Sequence, residues 1–398
     1  MRAFPLSDFL IIEACDFQGY PGGGQTQQAI MLMKAFADNV ALVGITTGDS
    51  PVGKWVERKI GDRNFRYFSI GRREKRFSRP LIPSRIVGFS ELFRYRRAIL
   101  SLGIRRALIQ APELLMACSH WGWESVCYWF PGVSNPLAVP RYRWGKALKM
   151  LFPQIFFRVL RNADVILAQA DDRSLRRLKE LGSGLLDGVS ILKFPTRFDA
   201  DIFHPIDRAE ARQRLDLPRT APAVVMVGRI SREKGWDLLL DAFKVFLSYQ
   251  TDANMFFVGD GEDRELLESR IRQYGLNKCV RVTGFMPQKD VASYLNTADL
   301  VVVGSLAEGW STSMTEALAC GCTIVSTDVS GARDMIVPGE NGYIVEKRSP
   351  QAFAEAMDLA VRIPDARRVS LELSQYYSVR NMKRDLSAVW NPIASDDA

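Results

Sequence analysis

The feature that most restricts the fold is a pattern that runs twice along the 398 residues: a short apolar stretch, a turn, then a segment with apolar residues at helical spacing. In the first half "DFLIIEAC" reads as a buried strand, "GYPGGGQ" as a glycine-rich turn and "QTQQAIMLMKAFAD" as a helix. "VALVGITTG", "RRALIQA", "SVCYWF", "ADVILAQ" and "GVSILKFP" are further strand candidates between helical segments. The pattern stops at "FPTRFDADIFHPID", which is rich in Pro and Asp and aperiodic, and restarts with "AVVMVGRI" before the helix "GWDLLLDAFKVFLSY". "ANMFFVGDG", "VRVTGF", "DLVVVGS", "TIVSTDV" and "GYIVE" continue it. Strand alternating with helix implies a parallel sheet covered on both faces. A chain of this length exceeds one ordinary core. The expectation is an α/β protein of two doubly wound, Rossmann-like domains, residues 1–198 and 199–375. Ligands of such sheets bind beyond the carboxyl ends of the strands where strand order reverses, and a cleft between two such domains is the default site.

Composition narrows the class. Apolar residues make up 47% and charged residues 25%, as in a globular protein. The opening "MRAFPLSDFLIIEACDF" carries acids inside its apolar run, unlike a secretion signal, and the least charged stretch, residues 125–140, contains three prolines and is too short to span a bilayer. A cytoplasmic protein is expected. Cys15, Cys118, Cys127, Cys279, Cys320 and Cys322 are scattered, and with only His120 and His204 to join them, buried free thiols are expected rather than disulfides or a metal site.

The second half carries the chemistry. Gly228, Gly259, Gly261, Gly284 and Gly309 all stand just after strands, where backbone can approach a ligand closely. "VGRISREKG" adds Arg229 and Lys234 to such a turn, a pair of cations suited to a diphosphate. In "SLAEGWSTSMTEALACGC", Glu308 falls in the exit loop of a strand, Ser311 or Thr312 is a helix N-cap, and Glu316 lies about one turn inside the helix on the side that faces back. Free N–H groups at that helix start can bind a phosphate. Carboxylates accept from vicinal hydroxyls. One of the two could therefore hold a sugar and the other a ribose.

Together, "VVMVGRISREKGWDLLLDAF", "MFFVGDGEDRELLE" and the long run "VRVTGFMPQKDVASYLNTADLVVVGSLAEGWSTSMTEALACGCTIVSTDVSGARDMIVPGENGYIVEKRSPQAFAEAM" resemble the retaining glycosyltransferases of family 4, of GT-B fold. Their E-x7-E signature is Glu308 to Glu316. The resemblance is strong over residues 205–390 and weak before them. It implies that Arg229 and Lys234 grip the diphosphate of a nucleotide-sugar donor, beside Gly228. Glu308, the residue on which catalysis depends, would contact the transferred sugar, and Glu316 the ribose. Gly309, Ser311 and Thr312 would offer donors to phosphate and sugar, and Phe285-Met286 would lie beside the base. Gly23 and Gly24 match a turn near the diphosphate and acceptor. No metal and no cofactor are implied, since protein cations and helix dipoles stabilise the leaving diphosphate. "YSVRNMKRDLSAVW", within residues 376–398, would pack back on the first domain. Where many relatives carry a histidine after a first-domain strand, this chain has Phe130-Pro131-Gly132; His120 stands nearby in an expected helix, with a structural role.

Charge is uneven. Residues 1–195 hold 29 Lys and Arg against 16 Asp and Glu, an excess of 13, whereas the rest hold 24 against 29. From Arg72 to Arg106 there are eleven Lys or Arg and two acids, interleaved with Phe77, Phe89, Phe93 and Tyr95, and a second basic-aromatic stretch runs from Arg141 to Arg161. Such a surface favours an anionic membrane as partner; no nucleic-acid motif accompanies it. The sequence therefore reads as a cytoplasmic, peripherally membrane-bound transferase. It would move sugar to a hydroxyl of a glycolipid or lipid-linked glycan acceptor in polysaccharide or lipopolysaccharide synthesis. A sugar-nucleotide epimerase of similar fold and a non-catalytic membrane-binding scaffold are the alternatives.

Overall fold

The computed structural model describes residues 9–20, 24–74, 84–130, 152–182, 184–215, 217 and 220–390. It divides into two units: residues up to Pro195 together with those from Arg380 onward, and Thr196–Val379.

The first unit is built on an eight-stranded sheet. Its strands are β1 (Phe9–Ile12), β2 (Val40–Thr46), β3 (Trp55–Ile60), β4 (Arg63–Arg72), β5 (Arg106–Ile109), β6 (Ser125–Phe130), β7 (Val165–Ala168) and β8 (Ser190–Lys193), in the order β3-β4-β2-β1-β5-β6-β7-β8. Neighbours are parallel except β3 with β4, which pair antiparallel. Every residue of β1 and β2 is buried, as expected of apolar runs covered on both faces. The hairpin β3–β4 escaped the sequence reading. The edge strand β3 carries three charges in a row, with Glu57 and Lys59 exposed on its wet face, and Gly61 turns between the two strands at φ +59°. Helices Ser84–Leu100, Pro112–Cys118 and Phe152–Leu160 pack in succession on one face, the second touching both others. The last described helix, Val379–Trp390, also belongs here: the Trp390 ring meets Phe9 edge-on at 5.1 Å, and its indole N–H donates to Ser125 Oγ at 2.8 Å.

The second unit has six strands, β9 (Ala223–Val227), β10 (Asn254–Val258), β11 (Val280–Gly284), β12 (Leu300–Val303), β13 (Thr323–Thr327) and β14 (Gly342–Val345). All run parallel in the order β11-β10-β9-β12-β13-β14. Numbered within the unit this is 3-2-1-4-5-6, so strand order reverses between β9 and β12. The helix after β9, Trp236–Phe246, shows how pattern becomes packing. Trp236, Leu239, Leu240, Phe243 and Phe246 recur at helical spacing and all are buried against the sheet. Each such side chain contributes about 1.5–3 kcal/mol on burial.

Candidate active site

At the reversal of the second sheet, the loops leaving β9 and β12 press together. Gly235, at φ +72°, ends the short turn Arg232–Lys234, and a Cβ placed on it would sit 1.9 Å from the carbonyl oxygen of Gly304. Only glycine permits both that backbone angle and that approach. Leu306 N donates to Glu233 O at 2.8 Å and joins the same two loops.

This contact decides where the charges go. Lys234 Nζ lies 2.6 Å from Glu308 Oε1, and Ser305 Oγ donates to the same oxygen at 2.7 Å. The Glu308 side chain is 11% exposed and that of Lys234 34%, so the pair stands at the edge of solvent rather than in the core. Arg229, five residues before Lys234 on the loop from β9, is exposed and has no hydrogen-bond or ion-pair partner among the described residues. Gly228 beside it takes φ +147°, and a Cβ placed on it would meet only Met226 Cε, at 3.8 Å.

Ser311 is the N-cap of helix Thr312–Ala319, its hydroxyl accepting from Met314 N at 3.4 Å and pairing with Ser313 Oγ at 3.0 Å. The amides of Thr312 and Ser313 have no partner among the described residues, so the positive end of the helix is available to an anion. Gly309 is half-buried in the loop ahead of it, and Trp310, packed on Tyr377 at 5.8 Å, fixes the entry of the chain into the cap. Glu316 is 7% exposed and its carboxylate has no hydrogen-bond partner among the described residues. Burial alone pushes its pKa up to about 8. Phe285, directly after β11, is 85% exposed, while Met286 packs on the core of the unit.

The structure thus joins Lys234 to Glu308 directly, and sets Arg229 and Glu316 on the loop and helix that follow the same two strands. Two residues of this site were missed. Ser305 orients Glu308. Arg348, beyond the end of β14, donates to the carbonyl of Gly304 at 2.6 Å and that of Ser305 at 3.3 Å. Desolvation lowers its pKa. The signal for Arg348 was its place just after a strand, which marks the ligand edge of a parallel sheet.

In the first unit, Gly24 opens helix Gly24–Ala35, with Gln25 Nε2 donating to Gln110 O at 3.0 Å; Gly23, Pro131 and Gly132 lie outside the described residues, as does Arg141–Leu151 of the second basic stretch. Two expectations need correction. His120 is not helical: the helix ends at Cys118, and His120 stands exposed in the following turn, its carbonyl accepting from Arg96 at 3.4 Å. Of the six free cysteines, Cys279 is only half-buried, because its strand-end position leaves one side open.

Residues 207–372 match the family described as glycosyl transferases group 1. A D-inositol 3-phosphate glycosyltransferase of Catenulispora acidiphila is 34% identical over 175 residues, 42% of each chain. TuaC of Bacillus subtilis, a glycosyltransferase assigned to teichuronic acid biosynthesis, is 32% identical over 205 residues, 51% of this chain and 48% of that one. The chain therefore matches about half the length of these relatives or less. A sucrose-phosphate synthase structure from Thermosynechococcus elongatus superposes with a TM-score of 0.77 over 98% of this chain and all of that one, at 18% identity. HepE of Anabaena, solved with UDP and glucose, gives 0.72 over 98% and 100%, at 16% identity. These likenesses establish the two-domain α/β architecture as GT-B. The match to group 1 glycosyltransferases thus lies within the second unit, in the stretch that carries the E-x7-E resemblance.

Proposed function

We propose that the protein transfers a sugar from a nucleotide-diphosphate donor to an acceptor hydroxyl with retention of configuration. The observation that carries this reading is the Lys234–Glu308 contact of 2.6 Å at the strand-order reversal of the second sheet. In this reading Lys234 keeps one of its three N–H donors on Glu308 and offers the others to the diphosphate, with Arg229 as a second, bidentate grip. The unpaired amides of Thr312 and Ser313, beside Gly309 and the Ser311 cap, meet the same oxygens at the positive helix end. Glu316 accepts from the vicinal ribose hydroxyls, which supply the partners its buried carboxylate lacks. The base lies against Phe285 and Met286.

Glu308 accepts from hydroxyls of the transferred sugar and so fixes its anomeric carbon against the acceptor. The bond from that carbon to the diphosphate breaks, its electron pair leaving on the phosphate oxygen. The cations and helix amides stabilise that charge without a metal or other cofactor. The acceptor oxygen enters on the face the diphosphate leaves and gives up its proton to the departing phosphate oxygen. The acceptor proposed is a glycolipid or lipid-linked glycan of a cell-surface polysaccharide or lipopolysaccharide. Gly23 and Gly24 would stand near it, and a cytoplasmic enzyme resting peripherally on an anionic membrane would reach it.

The test is donor-dependent glycoside formation by wild type and Glu308→Ala. The variant should fold and yet lose about a hundredfold or more in turnover, the scale of removing one electrostatic contact to the reacting group. Unchanged turnover defeats the assignment. Conversion of the donor alone into an epimeric sugar nucleotide would point to the epimerase instead.

A further inference from the structure

We infer that the helical face of the first unit formed by Ser84–Leu100, Pro112–Cys118 and Phe152–Leu160 is a docking surface for an anionic lipid bilayer. The inference rests on the proposed lipid-linked acceptor and names the surface that would bring the enzyme to it. Four large apolar side chains stand out from these three neighbouring helices: Phe89 at 36% exposure, Phe93 at 66%, Met116 at 42% and Ile155 at 49%. A single exposed apolar side chain is ordinary, but four on one helical layer mark an interaction surface.

Their neighbours are cations. Along Ser84–Leu100 the spacing of Phe93 and Arg97 puts them together on the outward side of the helix, with Phe89 and Arg96 on the flank between them and the fully buried Leu92 and Ile99. Both arginines are exposed, and neither has a carboxylate partner among the described residues; Arg96 donates only to the carbonyl of His120. The one acid in the described part of that helix, Glu91, is committed to Arg73 at 2.7 Å. Where the helix ends, Arg96, Arg97 and Arg105 line an open pocket of about 430 Å³ together with Leu100 and Ser101. The Arg105 guanidinium is steadied there by the carbonyls of Leu100 at 3.1 Å and Ile104 at 3.4 Å.

Aromatic and aliphatic side chains beside unpaired arginines match the two layers of a charged bilayer surface: acyl boundary for the former, headgroup phosphates for the latter. A polyanion such as nucleic acid would engage the arginines but leave Met116 and Ile155 in water, so charge and apolarity together favour lipid. The pocket between Arg96, Arg97 and Arg105 then seats a headgroup phosphate.

Sedimentation of the full chain with phosphatidylcholine vesicles, with and without phosphatidylglycerol, tests this. Wild type should pellet only with phosphatidylglycerol, and rising salt should release it. Each cation near a charged bilayer is worth about fivefold in partitioning, so Arg96→Gln/Arg97→Gln should weaken binding about 30-fold. Phe93→Ser should weaken it without changing its salt dependence. Both variants should keep the wild-type melting temperature and the wild-type thermal shift with nucleotide sugars, a readout independent of lipid, so failure of the transferase reading would show there and not in the pellet. Wild type that ignores phosphatidylglycerol, or variants that pellet like wild type, would overturn the inference.

Discussion

Glu316→Gln is the most informative substitution because its consequence can be worked from burial alone. The wild-type carboxyl is 7% exposed and its pKa stands at about 8, against an ordinary value of 4.5, with desolvation as the cause. The folded protein therefore holds a proton that the unfolded chain releases between these limits. The stabilising contribution of this group is complete below pH 4.5 and is lost as pH rises through about 8. At about 1.36 kcal/mol per unit, the whole window corresponds to about 5 kcal/mol, and the part up to pH 7 to about 3 kcal/mol. Glutamine keeps the shape and polarity but cannot ionise. Urea unfolding across the window should show the stability of Glu316→Gln rising relative to wild type by about 3 kcal/mol between pH 4.5 and 7. The same shift makes donor binding proton-linked. If ribose hydroxyls donate to Glu316, its carboxylate form is favoured in the complex, so binding near neutral pH releases close to one proton and tightens as pH rises toward 8. Calorimetry in buffers of different ionisation enthalpy reads this directly. Parallel pH-stability curves for the two proteins would refute the burial argument. Donor binding without proton release would refute the ribose contact.

Two further substitutions test the loops that carry the charges. Gly235→Ala places a methyl against the Gly304 carbonyl at a positive φ, and should cost about 1–3 kcal/mol in backbone strain alone; donor affinity should fall with it, because the loops bearing Lys234 and Glu308 must separate, and calorimetric titration of the variant reads that loss. Arg348→Met removes two charge-assisted bonds to the end of β12, each worth about 1.5–3 kcal/mol. Turnover should drop further than thermal stability alone explains, while Arg348→Lys, which can still reach one carbonyl, should recover part of it.

The sequence exposed those parts of the fold whose side chains are buried on both faces. "FLII", "VALVGIT" and "LVVV" admit few readings other than central strands, since a run without polar alternation needs cover on both sides. The hairpin β3–β4 was harder because "WVERKI" and "RNFRYFSI" mix charge with aromatic residues; Gly61-Asp62 between two runs rich in aromatic and β-branched residues was the readable clue. The candidate site was legible as loops after strands, because glycine and charge cluster where a parallel sheet meets its ligand. The Lys234–Glu308 contact was not, since it depends on β9 and β12 being neighbours, and strand order is written in no local stretch. Arg348 was missed for the same reason: it reaches Gly304 only because β14 lies two strands from β12.

The central claim is that Lys234 and Glu308 form one donor site in the second unit. Calorimetric titration of wild type, Lys234→Ala and Glu308→Ala with a panel of nucleotide-diphosphate sugars tests it most directly. At least one sugar nucleotide should bind wild type, and loss of either residue should weaken it by about 2 kcal/mol or more, with Lys234→Ala weakening the bare nucleoside diphosphate as well. Equal affinity in all three proteins, for a donor that wild type does bind, would contradict the account.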